Sequence, residues 1–260
     1  MRQFATMIKT IKTIALNTFR ETIRDRIFYS LIAFAVLTVA ASLLAGSVSL
    51  GQDVRVIGDF SLTAILVFEL IITLFIGTQL VWREIERKTV YLVLSKPVSR
   101  EAFYLGKFFG LCLTLLVSGV IMGVIFLSIM AFKTHAFNFI AALAILLVIL
   151  EAWLLTAVGL LFSSFTTPLA SAIYTFCLAL IGHSSTTIWL MAKKATPAVR
   201  YVLESVYYVF PNLEKFNLRN EVAFSFQPEA GQMVMILLYF VAYTVAVLLL
   251  GMAAFRRHEF

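Results

Sequence analysis

Six apolar runs, each about as long as a bilayer is thick, decide what this chain can become. They occupy about 28–50, 60–81, 107–131, 138–162, 168–190 and 232–255 of the 260 residues. A helix needs about 20 residues to cross a hydrocarbon core roughly 30 Å thick, and every run reaches that length. None alternates with the period of two that a membrane β-strand requires. Lipid offers no partner to a free backbone group, so the runs are expected as helices, whose backbone bonds are internal. Composition agrees: 61% of residues are apolar and only 13% charged, too little polar surface for a water-soluble domain of this size. A soluble enzyme, a disordered chain and a disulfide scaffold are thereby excluded. The expected fold is all-α, a polytopic membrane protein of six transmembrane helices over residues 28–255.

Lys and Arg beside the spans set the orientation. Residues 1–27 carry Arg2, Lys9, Lys12, Arg20, Arg24 and Arg26; the loop after the second run carries Arg83, Arg87, Lys88, Lys96 and Arg100, with Lys107 at its end; the tail 256–260 carries Arg256 and Arg257. Six spans put all three flanks on one side, which is then the cytoplasm, with both termini in it. The net charge of +7 is therefore a feature of topology. The basic groups are scattered and form no nucleic-acid-reading motif, so no nucleic-acid partner is expected. The first span is too long for a signal-peptide core and is read as uncleaved. Cys112 and Cys177 lie inside predicted spans and imply no disulfide.

The segments between spans carry their own patterns. Phe4, Met7, Ile8, Ile11, Ile14, Ala15 and Phe19 share one arc at helical spacing, with Lys9, Thr13, Asn17, Arg20 and Arg24 opposite. That is a basic amphipathic helix suited to the headgroup plane. In the loop 82–106 the charged first half is free of Gly and Pro and reads as helical; Pro97 breaks it, and Ser99 caps a new helix entering the third span. Tyr91, Leu92 and Leu94 are apolar in a watery loop, which fits either a docking surface or packing against the bundle. The outer segment 191–231 holds a helix start at Thr196-Pro197 and an apolar stripe (Val199, Val202, Leu203, Val206, Phe210) that Pro211 ends. It is expected to lie on or dip into the membrane over the outer mouth.

No catalytic constellation is visible. Gly106-Lys107 lacks the other residues of a nucleotide-binding loop. His135, His183 and His258 lack ligand spacing, so no metal site or cofactor is expected in this chain. What remains is polar groups inside spans. Glu69 and Glu151 sit mid-span, where a charge costs about 2.5–3.5 kcal/mol. Glu69 shares a face with Thr73 and Gly77 at steps of four, and the fifth span repeats Ser171, Thr175, Ala179, His183 and Thr187 at the same step. Helix packing accounts for Ser171 and Thr175. For Glu69 and Glu151, a pathway or proton site and a neutral hydrogen-bonded carboxyl stay equally open. His183 leans toward a pathway, because it needs polar company in lipid. The pathway candidates are Glu69, Thr73, Glu151, Thr175 and His183. Gly119-x-x-x-Gly123 fits close helix packing.

One stretch has a familiar spelling. Arg83-Glu-Ile-Glu-Arg-Lys-Thr-Val-Tyr-Leu-Val-Leu-Ser-Lys-Pro-Val-Ser-Arg100, followed by Phe103-Tyr-Leu-Gly-Lys107, closely resembles the cytoplasmic signature of ABC type-2 exporter permeases. The Phe162-Ser-Ser-Phe165 turn and the order of segments are similar to that family too. The nearest branch resembles the permeases grouped with nitrous-oxide-reductase, or multi-copper enzyme, maturation. No Met/Cys/His cluster here supports copper. The resemblance implies two permease copies working with a separate cytoplasmic ABC ATPase, which would carry the ATP and Mg. It implies that the loop 82–106 forms a coupling helix, with Arg83, Glu84, Glu86, Arg87, Thr89 and Leu92 at the ATPase contact. It also implies export across a cytoplasmic (inner) membrane. A rival reading from the residues alone is an ion- or proton-coupled secondary transporter using Glu69 and Glu151.

Overall fold

Ser99, Asn138 and Thr167 each stand just before an apolar run, and each starts a helix by accepting a backbone N–H with its side chain. The donors are Ala102 (3.2 Å), Ala141 (3.1 Å) and Ala170 (3.5 Å). Such caps satisfy groups that an incipient helix leaves unpaired. The computed structural model describes residues 2–48, 52–77, 99–224 and 226–257. Regular structure among these is helical throughout. The helices are α1 (Arg2–Ile23), α2 (Arg26–Val48), α3 (Asp53–Ile72), α4 (Arg100–Thr134), α5 (Phe139–Ser163), α6 (Pro168–His183), α7 (Ser185–Lys194), α8 (Pro197–Val209), α9 (Arg219–Phe224) and α10 (Ala230–Arg257). A π turn, Thr73–Gly77, follows α3, and a 3-10 turn, Leu213–Phe216, precedes α9.

Among the described residues five helices are long and apolar enough to cross a membrane: Arg26–Ser47, Asp53–Gly77, Arg100–Thr134, Phe139–Ser163 and Ala230–Arg256. A sixth crossing exists only if α6 and α7 count together, and they meet at 60°. The fifth span expected over 168–190 thus corresponds to two helices with a bend between them. Ser184 ends α6, its N–H bonding the Leu180 and Ile181 carbonyls at 3.1 Å. The Ser185 hydroxyl turns back to the Gly182 carbonyl at 2.8 Å. One polar side chain thus takes up a helix-end carbonyl that a continuous helix would bond internally.

Two further boundaries move. α3 begins at Asp53 rather than near 60, because its first two turns are polar and Asp53 pairs with Lys133 of α4 at 3.2 Å. Hydropathy alone discards such turns. α4 starts at Arg100, where the Ser99 cap placed it and seven residues before the apolar run, and its 35 residues make a rod about 50 Å long. The first turns are covered by α1.

Helix α5 is the most enclosed. It touches α3, α4, α6, α9 and α10, whereas α10 keeps most of its outer face free. Gly119 and Gly123 of α4 press against Ile149 and Ile145 of α5, as the spacing of the two glycines suggested. Trp153 of α5 donates to the Cys112 carbonyl of α4 at 2.9 Å. We call the end with Asp53, Lys133 and Asn138 distal, and the end with Arg100, Ser163 and Arg256 proximal.

Helix α1 lies along the proximal end of α4. The seat is built from Gly106, which faces Ile14 and the Ile11 carbonyl, and Gly110, which faces Thr18 and the Ala15 carbonyl. Thr18 and Thr22 are its most buried residues, while Ile8 and Leu16 are exposed. The contact face is therefore rotated from the apolar arc expected in the sequence. Small side chains win there because they let two backbones approach. Lys107, almost wholly buried, reaches Glu21 of α1 at 3.9 Å.

At the distal end of α4, His135 takes a left-handed conformation (φ 51°). That geometry costs a non-glycine residue about 1 kcal/mol. His135→Gly is expected to leave stability unchanged or raise it by up to about 1 kcal/mol, read by thermal unfolding in detergent. A loss of stability would mean the imidazole makes a contact that outweighs the strain.

Candidate functional site

Three ionisable side chains from three helices converge where the fifth span breaks. Glu151 sits midway along α5, Glu69 lies near the end of α3, and His183 is the last residue of α6. Glu69 and Glu151 are almost fully buried (1% and 2% exposed). His183 Nε2 stands 2.9 Å from Glu151 Oε1, with its side chain 27% exposed. All three line one narrow cavity of about 10 Å³ with Leu66, Leu70, Val148, Ala152 and Leu155. That is room for a single water.

Their hydrogen bonding is incomplete. The Ser118 hydroxyl of α4 donates toward Glu69 Oε1 (2.6 Å), with the Leu115 carbonyl 3.1 Å away. Glu69 Oε2, both Glu151 oxygens and His183 Nε2 have no well-aligned partner, so the close His183–Glu151 approach is not a formed hydrogen bond. A buried carboxylate without partners is costly, and two of them beside one cavity cannot both hold full charge. The arrangement is suited to holding and moving protons. Groups of three or more His, Cys, Asp or Glu side chains placed to hold a metal are absent among the described residues.

Two other expected residues are near but play a different part. Thr73 is buried, its hydroxyl unpartnered, at the start of the π turn. Glu69, Thr73 and Gly77 are all buried, with the π turn beginning at Thr73. Thr175 is buried and donates to the Ser171 carbonyl of its own helix at 2.8 Å. Ser171 in turn donates to the Gly159 carbonyl of α5 at 2.9 Å. These are packing bonds. The stripe expected to run on to Thr187 stops at Ser184, and Thr187 is exposed on α7. Ser118 was missed: it shares a step of four with Thr114, but nothing in the run pairs it with a carboxyl, and only the packing of α4 on α3 aims it at Glu69. The coupling residues Arg83, Glu84, Glu86, Arg87, Thr89 and Leu92 lie outside the described residues.

A cap closes the distal side. After α8, residues 211–224 fold inward; Leu213, Phe216, Leu218 and Val222 are buried. Gly182, next to His183, lies against Leu213 and the Pro211 carbonyl. Phe216 stacks near Tyr239 and Phe240 of α10, and Tyr239 accepts the Asn212 N–H at 2.7 Å. By contrast, α7 and α8 pair with each other, Trp189 lying 5.0 Å from Tyr207, and α8 buries no residue. The amphipathic segment expected over 191–231 is thus two units: a hairpin outside the bundle and a cap within it. A separate groove of about 500 Å³, lined by Thr38 of α2 and Val56, Asp59, Phe60, Thr63, Ala64, Val67 and Phe68 of α3, opens on the side of the bundle. It shares no residue with the cluster.

The whole helical plan, from the middle of α1 to the C-terminus, has a counterpart among known proteins: the family described as ABC-2 family transporter protein matches residues 12–260. The chain belongs to the ABC-2 transporter family. It is a multi-pass membrane permease and a transporter rather than an enzyme, of a family that associates with an ATPase subunit. The match is to the family at large and gives no support to the nitrous-oxide-reductase maturation branch. No curated protein matches the chain.

Proposed function

We propose that this ABC-2 permease forms a homodimeric export pathway in a cytoplasmic membrane, driven by a separate cytoplasmic ATPase. The observation that carries this reading is the family match over residues 12–260. The sequence supports it, since the chain has no nucleotide-binding loop of its own. ATP binding on the partner would close the ATPase dimer, shift the segment 82–106 and rock rigid spans about the pathway. The chain then needs docking residues and no catalytic ones. Arg83, Glu84, Glu86, Arg87, Thr89 and Leu92 are the proposed contact. The seat of α1 on α4 favours this plan, because it ties residues 2–23 to the helix that follows the loop. Of the pathway candidates, Glu69, Glu151 and His183 form its ionisable part, and Thr73 and Thr175 support their helices. The secondary-transporter reading is not favoured, because the family is ATPase-linked.

Glu86→Lys and Arg87→Glu test the coupling. Breaking a close interfacial charge pair costs about 2–5 kcal/mol, so each variant is expected to lower affinity for the ATPase by about tenfold or more. Co-purification with the ATPase, and its stimulation by the permease, are the measurements. Unchanged binding and stimulation in both variants would remove the loop from the contact.

A further inference from the structure

We propose that Glu69, Glu151 and His183 form an exchangeable proton site, loaded from the distal side, at the break of the fifth span. This goes beyond ATPase-driven export and holds whether or not the partner is as proposed.

Several independent observations meet at this point. The first is burial with unused polar atoms: Glu69 and Glu151 are at least 98% enclosed, yet Glu69 Oε2 and Glu151 Oε2 are unbonded and Glu151 Oε1 faces His183 Nε2 at 2.9 Å without an aligned hydrogen bond. A residue kept only to tie helices together would spend its polar atoms on them, as Ser171 does. The second is convergence: residues 69, 151 and 183 arrive from three helices on one cavity large enough for a single water. A water of that size would border carboxyl groups from two helices. The third is the broken helix. His183 ends α6, where the helix dipole favours a cation, and half-helix ends near the midplane are a recurrent way to bind ions in transporters. The fourth is access: His183 is the one member partly exposed, at 27%.

The charges around the site fit a proton better than a metal ion. Among the described residues no group of three or more His, Cys, Asp or Glu side chains is placed to hold a metal ion. Beyond the three, the charged groups acting on Glu151 and His183 are Glu214 of the 3-10 turn and Arg219 of α9, both on the cap. They are opposite in sign and offset one another. Around Glu69 the polar neighbour from α4 is Ser118. Neutrality in this apolar setting requires two protons on the three groups: one on Glu69 and one shared between Glu151 and His183. The partly exposed imidazole of His183 takes up a proton and passes the one on its enclosed Nε2 to Glu151 Oε1, 2.9 Å away, and the water-sized cavity borders both Glu151 and Glu69. Only N–H and O–H bonds form and break, so no co-reactant is needed. Gly182 ties the site to the cap through Leu213 and Pro211, so protonation at its neighbour is felt where the distal side is closed.

Infrared difference spectroscopy on the purified full-length protein in lipid tests the assignment, without any ATPase. The wild type is expected to show protonated-carboxyl C=O bands that shift in heavy water and change across about pH 5 to 9. Glu69→Gln and Glu151→Gln should each remove one band. Ser118→Ala should move the Glu69 band and leave the Glu151 band in place, and His183→Gln should displace the pH at which the Glu151 band changes. The last two variants keep the test informative if a Gln variant does not fold. In sealed vesicles with the distal face outward, the bands should respond to an external pH jump. Absence of protonated-carboxyl bands, bands that do not change with pH, or bands indifferent to these substitutions would overturn the proposal. None of those results bears on Glu86 and Arg87, so the two readings fail separately.

Discussion

Gly110→Leu is expected to lift α1 off the bundle. A Cβ at residue 110 would stand 2.7 Å from the Ala15 carbonyl and 2.6 Å from the Thr18 Cβ. The first is backbone, so no side-chain rotation relieves it and the helix has to move as a unit. Overpacking of this kind costs about 1–3 kcal/mol where neighbours yield, and the rigid backbone puts this site at about 3 kcal/mol. Such a loss shifts the seated fraction by about a hundredfold. It also pulls Glu21 away from the buried Lys107, and weakening a buried ion pair adds to the cost. Gly231→Ala is the control: nothing lies within 4 Å of a Cβ there, and helix propensity alone predicts a gain of up to about 1 kcal/mol. Thermal unfolding and protease access to residues 12–24 are the measurements. Equal behaviour of Gly110→Leu and wild type would show that α1 does not rely on this seat.

The legible and illegible parts of this chain follow from what periodicity can encode. Long apolar runs announced α2, α4, α5 and α10 because crossing a bilayer forces the composition. Caps at Ser99 and Pro197 marked two helix starts to the residue, because the cap chemistry is local. The rotation of α1 was hidden. Thr18 and Thr22 read as polar, yet their small size suits them to the two-glycine seat on α4, and that match exists only between residues more than ninety positions apart in sequence. The break at Ser184 was hidden for a similar reason. Gly182-His183-Ser184-Ser185 is a permissive stretch, but the Pro211 carbonyl that occupies the space beside Gly182 arrives from a loop almost thirty residues later.

For the candidate site, two of the three ionisable groups were visible as anomalies, since a carboxyl in a run of Leu, Ile and Val stands out whatever surrounds it. Their meeting was not visible. Glu69 and Glu151 share no period and no motif, and the stripe that carried His183 continued on paper to Thr187. The structure ends it beside His183, which meets Glu151 at 2.9 Å. The expected smooth polar track is replaced by one enclosed point, with Ser118 added from a helix that gave no sign of it.

That enclosure depends on the cap, and Gly182→Leu is expected to unseat it. A Cβ at 182 would lie 2.6 Å from Leu213 Cγ and 2.8 Å from the Pro211 carbonyl. The leucine can turn, but the carbonyl belongs to a turn held by Asn212 on Tyr239 and by Phe216, which is fully buried. Relief by side-chain motion is therefore closed, and the segment 211–224 has to withdraw. Withdrawal exposes Leu213 and Phe216, each worth about 1.5–3 kcal/mol of burial, so the cap is stable in wild type and the clash is what offsets it. A destabilisation of about 3 kcal/mol raises the open population by about a hundredfold. Lys215 and Arg219 lie on the cap, and cleavage of a transiently open segment tracks that population. Trypsin supplied from the distal side should cut at these two residues up to about a hundredfold faster in Gly182→Leu than in wild type, with the rest of the chain intact. Because the same residue borders His183, the variant should also make the site respond to external pH faster. Identical cleavage rates would mean that the cap is held by α10 alone, and that the contact at Gly182 does not link the closing of the distal face to the break in the fifth span.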